Sequence, residues 1–129
     1  MILAVDPGRE KCGLAVLDDC AKVLEKRVCA AAKIADEVSS LIQKYNIPTL
    51  VLGDSTGSRS VKKSISRLEL SANLVFVPEK NSSWEARKRY FKENPPRGLW
   101  RFIPSSLLVP PVPIDDFAAV ILGERYLKG

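Results

Sequence analysis

At 129 residues, 46% hydrophobic and 27% charged, the chain has the composition of one ordinary globular domain, expected to span 1–129 and to build a core without disulfides or a structural metal. Twenty Lys and Arg against fifteen Asp and Glu give a net charge of +5, and the absence of histidine excludes Ser-His-Asp and Cys-His catalysis, His-ligated zinc and a histidine general base. Cys12, Cys20 and Cys29 fit neither a C-x-x-C motif nor a disulfide framework and are expected to be buried, reduced thiols. With no signal-like opening and no apolar run near the roughly 18 residues that span a bilayer, a cytoplasmic protein without a membrane partner is expected.

In chain order, Ile2 to Val5 is a continuous apolar run, as is usual for a central strand covered on both faces. Gly13 to Leu17, a turn at Asp18-Asp19, and Lys22 to Ala30 read as two antiparallel strands, with Lys22, Lys26 and Arg27 suited to an exposed edge. Ile34, Val38, Leu41, Ile42 and Tyr45 form one helical stripe that ends before Pro48. Leu50 to Leu52 and Leu74 to Val77 are two further runs of the central type, and between them Val61, Ile65 and Leu68 recur at helical spacing. Ser82-Ser83-Trp84-Glu85 reads as a capping box, with Ser82 as N-cap, opening a helix to about Asn94. Residues 95 to 113 hold six of the nine prolines and form an irregular segment whose apolar side chains should pack on the body. A last helix runs from Ile114 through Ala118, Ile121, Leu122 and Tyr126.

This order, βββαβαβα followed by a Pro-rich loop and a final helix, is that of an RNase H-like α/β fold: a five-stranded mixed sheet with helices on both faces. In such a sheet the functional crevice lies beyond the carboxyl ends of the parallel strands. Asp6, Asp54 and Glu79 each follow one of those strands, and Asp115 and Asp116 open the last helix. Converging carboxylates repel one another, and oxygen-only ligands suit Mg²⁺ or Mn²⁺, which support in-line attack on a phosphodiester without histidine.

The residues also resemble a family. Asp6-Pro7-Gly8 with Gly13-Leu14-Ala15-Val16 is similar to the first motif of RuvC-type Holliday-junction resolvases and of the YqgF/RuvX family of pre-16S rRNA nucleases. Val77-Pro78-Glu79 through Glu85-Ala86-Arg87 resembles the YqgF pattern V-D-E-R-L-T-T-V-E-A-R, and Asp115-Asp116-Phe117-Ala118-Ala119 resembles its D-x-x-A-A helix start. The resemblance implies that Asp6, Glu79 and Asp115 are the catalytic, metal-binding carboxylates; beside them, position alone makes Asp116 and Asp54 additional acidic candidates, Asp54 more readily a loop or cap residue than a ligand. Pro78 departs from the family's Asp. The Gly53-Asp54-Ser55-Thr56-Gly57 loop looks more like the G-N-G-T loop of the YqgF-like domain in the transcription accessory protein Tex.

Charge is uneven: residues 1 to 58 carry seven basic and eight acidic side chains, and residues 59 to 129 carry thirteen and seven. Arg59, Lys62, Lys63, Lys80 and Arg87 flank the proposed carboxylate edge, where a phosphate backbone would lie, and Trp100 is the aromatic best placed to stack on a base. Trp84 and Tyr90 are expected in the core, and Arg89 and Lys92 on a solvated face. The expectation is a Mg²⁺- or Mn²⁺-dependent nuclease acting on a DNA junction or structured RNA; symmetric cutting of a junction would favour a homodimer. Two alternatives stand beside it: a non-catalytic nucleic-acid-binding module of the same fold, and a nucleotide-phosphate-binding domain.

Overall fold

The computed structural model describes residues 1–54, 59–68, 72–80, 82–94 and 115–128. The expected irregular segment after residue 94, Trp100 within it, and the loop at 55–58 lie outside the described residues. Five strands, β1 (Ile2–Asp6), β2 (Lys11–Leu17), β3 (Val23–Ala30), β4 (Thr49–Gly53) and β5 (Asn73–Val77), form one sheet in the order β3-β2-β1-β4-β5. β1 runs antiparallel to β2 and parallel to β4, and β4 runs parallel to β5, so the sheet is mixed as expected.

Alternation along β1 divides the core into two layers. Leu3 and Val5 face α1 (Ile34–Tyr45) and α2 (Arg59–Ser66), packing with Val38, Leu41, Leu52, Val61 and Ile65. Ile2 and Ala4 face the other way, onto Ala119, Val120 and Leu122 of α4 (Asp115–Lys128). The α1 stripe is buried at Ile34, Val38, Leu41 and Ile42, and the helix ends where Asn46 adopts a left-handed conformation two residues before Pro48. α4 is buried continuously from Phe117 to Gly123, which suits a helix pressed between the sheet and α3 (Ser82–Glu93). α3 meets it through Ala86 and Tyr90, whose ring stands edge-on to Phe117 at 5.8 Å.

Three local expectations are corrected. β5 is the edge of the sheet: Leu74 is 37% and Phe76 52% exposed, although both belong to an unbroken apolar run. Ser82 is the first residue of α3 rather than its N-cap; its N–H donates to the Glu79 carbonyl at 2.9 Å, and Glu85 turns to Arg125 instead of closing a capping box. Trp84 lies 49% exposed, with the Lys88 ammonium 4.3 Å from its ring centroid, because Ala86 and Tyr90 define the buried face of α3 and Trp84 falls outside it.

Candidate functional site

β1, β4 and β5 are parallel to one another and deliver Asp6, Asp54 and Glu79 to the same end of the sheet. Asp6 closes β1 opposite Gly13 of β2, and the missing side chain at Gly13 is what seats α4 there. A Cβ at that position would overlap the Asp115 carbonyl. Gly53 makes room for the Glu79 side chain, since a Cβ on it would strike the Glu79 carboxyl. Two glycines thus bring Asp115 and Glu79 in beside Asp6 by close approach.

The electrostatics record the result. The Asp6 carboxyl is pushed up to about 8, first by burial, then by a hydrogen bond to Glu79 and by the charges of Glu79 and Asp115. Asp115 is raised by burial and by Asp116, with Lys11 opposing. Glu79 Oε1 is buried without a hydrogen-bond partner among the described residues. At neutral pH the Asp6 carboxyl therefore holds its proton beside Glu79, in a site with surplus acceptors and too little positive charge.

The other two acidic candidates hold the site in shape. Asp54 accepts the Glu79 N–H on Oδ1 at 3.2 Å while its own N–H donates to the Val77 carbonyl at 3.2 Å, tying the end of β4 to the segment that carries Glu79. Asp116 accepts the Phe117 N–H at 2.9 Å and lies 3.5 Å from the Lys26 ammonium, which also stands 3.5 Å from the Phe117 ring centroid. Lys26, expected only to decorate an edge, anchors the start of α4. Arg125 had no sequence signal. From α4 its guanidinium donates to the Pro78 carbonyl at 2.8 Å and pairs with Glu85 at 3.2 Å, clamping the residue before Glu79 to two helices.

The donor set fits a hard divalent cation in type and charge: carboxylate oxygens only, mutually repelling, with one buried oxygen lacking a donor. In their present arrangement no three His, Cys, Asp or Glu side chains among the described residues form a ready metal cage. Asp6 and Glu79 instead meet in a side-chain hydrogen bond.

The basic residues of the described surface divide into two kinds. Arg27 pairs with Glu25 and Glu37, Lys44 with Glu25, and Arg89 with Glu124 at 2.5 Å. Arg89 is therefore an ion-pair partner, not simply part of a solvated face. Arg59, Lys62 and Lys63 take part in none of the ion pairs among the described residues and line a groove of about 620 Å³ with Ser66. Lys80 is exposed just past Glu79, and Arg87 is half-buried on α3.

A five-stranded mixed sheet in this order, helices on both faces and acidic residues at the ends of its parallel strands define an RNase H-like domain. Solved structures share the fold. Thermus thermophilus RuvC in complex with a Holliday junction substrate aligns with 98% of this chain and 94% of its own at TM-score 0.61 and 11% identity. A second Thermus thermophilus RuvC structure aligns with 99% of this chain and 96% of its own at TM-score 0.58 and 11% identity. The family model of the Tex protein YqgF-like domain matches residues 1–96, and the chain belongs to that family. No curated protein sequence matches it significantly. No helix among the described residues is long and apolar enough to cross a membrane.

Proposed function

We propose that residues 1–129 act as one resolvase-like nuclease domain that hydrolyses phosphodiester bonds in structured or branched nucleic acid with Mg²⁺ or Mn²⁺. The observation that carries this reading is the convergence of Asp6, Glu79 and Asp115 at the carboxyl end of the parallel strands, with Arg59, Lys62 and Lys63, which make no ion pair among the described residues, on the helix that follows β4 in the chain. Asp6, Glu79 and Asp115 would hold the cation. When bound, the divalent ion neutralises the carboxylates and stabilises the charge that develops on the transferring phosphate. The chain's own residues do the rest. Arg59, Lys62, Lys63 and Lys80 draw the phosphate backbone to the edge, and Asp54 and Arg125 fix the backbone on either side of Pro78 so that Glu79 stays aimed at Asp6. Pro78 stiffens the same segment by fixing its own φ.

A second reading, a nucleic-acid-binding module that does not cut, is favoured by the absence of a ready cage among the described residues. Incubation with a four-way junction, a duplex and single strands, in Mn²⁺ or EDTA, separates the two. The nuclease reading expects Mn²⁺-dependent cleavage that disappears in EDTA and in Glu79→Gln, with binding by the variant nearly intact. Binding without cleavage under every condition supports the module. Cleavage that persists undiminished in Glu79→Gln overturns the assignment of Glu79.

A further inference from the structure

Leu74 and Phe76 lie across from Leu50 and Leu52, on the face of the sheet that α1 and α2 cover. Leu50 and Leu52 are buried, whereas the Phe76 ring is 52% exposed. α2 has only eight residues, and instead of an apolar cap it presents the Lys62 ammonium 5.5 Å from the Phe76 ring centroid. That distance is at the outer range of a cation–π contact and leaves ring surface open. Lys62 also belongs to the groove it forms with Arg59, Lys63 and Ser66. A half-exposed aromatic ring and a row of cations that make no ion pair among the described residues therefore meet at one side chain, next to the end of β5 that leads into Glu79.

We infer that this β5–α2 edge binds an unpaired nucleotide, its base stacked on Phe76 and its flanking phosphates held by Arg59, Lys62 and Lys63. The occupant follows from charge and shape complementarity. Phosphates answer the cations, and a planar base answers the ring. A base inside a duplex has both faces covered by its neighbours and cannot reach a side-chain ring, whereas an unstacked base offers its π-face whatever its identity. The inference rests on the nucleic-acid reading above and narrows it: the domain grips its substrate where strands are open, as at a junction, flap or loop, rather than along continuous duplex.

The test uses the full chain with short 2-aminopurine-labelled oligonucleotides, as single-stranded DNA, single-stranded RNA and blunt duplex of one sequence, in EDTA. Phe76→Ala is expected to weaken single-strand binding about tenfold for both sugars and to leave duplex binding within about twofold. Phe76→Trp should restore single-strand affinity, and the double variant Lys62→Gln/Lys63→Gln should weaken both forms and flatten their salt dependence. Equal loss on duplex and single strand, or no loss on single strand, overturns the stacking role. A Phe76→Ala protein that changes oligomeric state in sedimentation while keeping wild-type single-strand affinity assigns the face to a second copy and also overturns it. Failure of the wild-type protein to bind any of the three at low salt instead defeats the nucleic-acid reading itself, an outcome separate from an indifferent Phe76.

Discussion

Replacing Asp6 with asparagine should make the cation-free protein more stable at neutral pH, even though Asp6 is assigned to the functional site. The folded state holds the Asp6 proton far more tightly than the unfolded chain, because burial and the neighbouring Glu79 and Asp115 raise its carboxyl from 3.8 to about 8. Folding therefore takes up a proton between these values. The associated stability is intact below about pH 4 and is lost as pH rises through about 8. At about 1.4 kcal/mol per pH unit, retaining that proton at pH 7 costs at most about 4 kcal/mol. Because solvent and local relaxation screen part of this cost, roughly half of that, about 2 kcal/mol, is the expected gain on substitution. Asparagine is isosteric, cannot ionise, and keeps an N–H to offer Glu79. For a chain of this size the gain corresponds to a Tm increase of about 6 °C near pH 7.5, against about 2 °C or less at pH 4.5. Thermal unfolding in EDTA at the two pH values measures both. A Tm difference that is the same at both, or a variant less stable at pH 7.5, would refute the account of a strained carboxyl pair.

Gly13→Ala drives a methyl group into the Asp115 carbonyl and should cost about 3 kcal/mol, the upper part of the range for overpacking, as read from urea unfolding. Arg125→Ala removes a charged donor from the Pro78 carbonyl and a partner from Glu85. A loss of about 1–3 kcal/mol in the same assay is expected, together with weaker Mn²⁺ binding by calorimetry, because the segment carrying Glu79 is released. Lys62→Gln/Lys63→Gln should leave unfolding within about 0.5 kcal/mol of wild type. The same variant should reduce the slope of log affinity for nucleic acid against log salt by up to about two, as measured by anisotropy titration.

The parts of the fold legible in the sequence are those decided by local pattern. β1 and β4 announce themselves as unbroken apolar runs and are buried on both faces, and α1 shows its stripe in full. β5 carries the same kind of run and is nevertheless an edge, because whether a strand is covered depends on the length and position of a neighbouring helix, which the strand's own residues do not encode. Trp84 is different. The i, i+4 pair Ala86 and Tyr90 already marks the inner face of α3, and helical arithmetic from that pair puts Trp84 elsewhere. At the candidate site, the ends of β1, β4 and β5 were legible from strand topology, which brings Asp6, Asp54 and Glu79 to one edge. The supporting residues were not: Arg125 meets Pro78 across 47 residues and Lys26 meets Asp116 from the far edge strand, and contacts of that kind leave no spacing to read.

The three thiols differ in a way that suits the protein to measurement. Cys12 and Cys29 face each other across β2 and β3, the first buried and the second half-buried, and burial raises both, Cys29 to about 11. Cys20, expected to be buried, is instead exposed, because it falls in the turn between those strands, at the end of the sheet where Leu17 lies opposite Ile2. A maleimide at neutral pH therefore has one ready target in a wild-type chain. A dye placed there sits the length of β1, at least about 13 Å, from Asp6, near enough to share the tumbling of the body and too far to touch whatever binds at the other end.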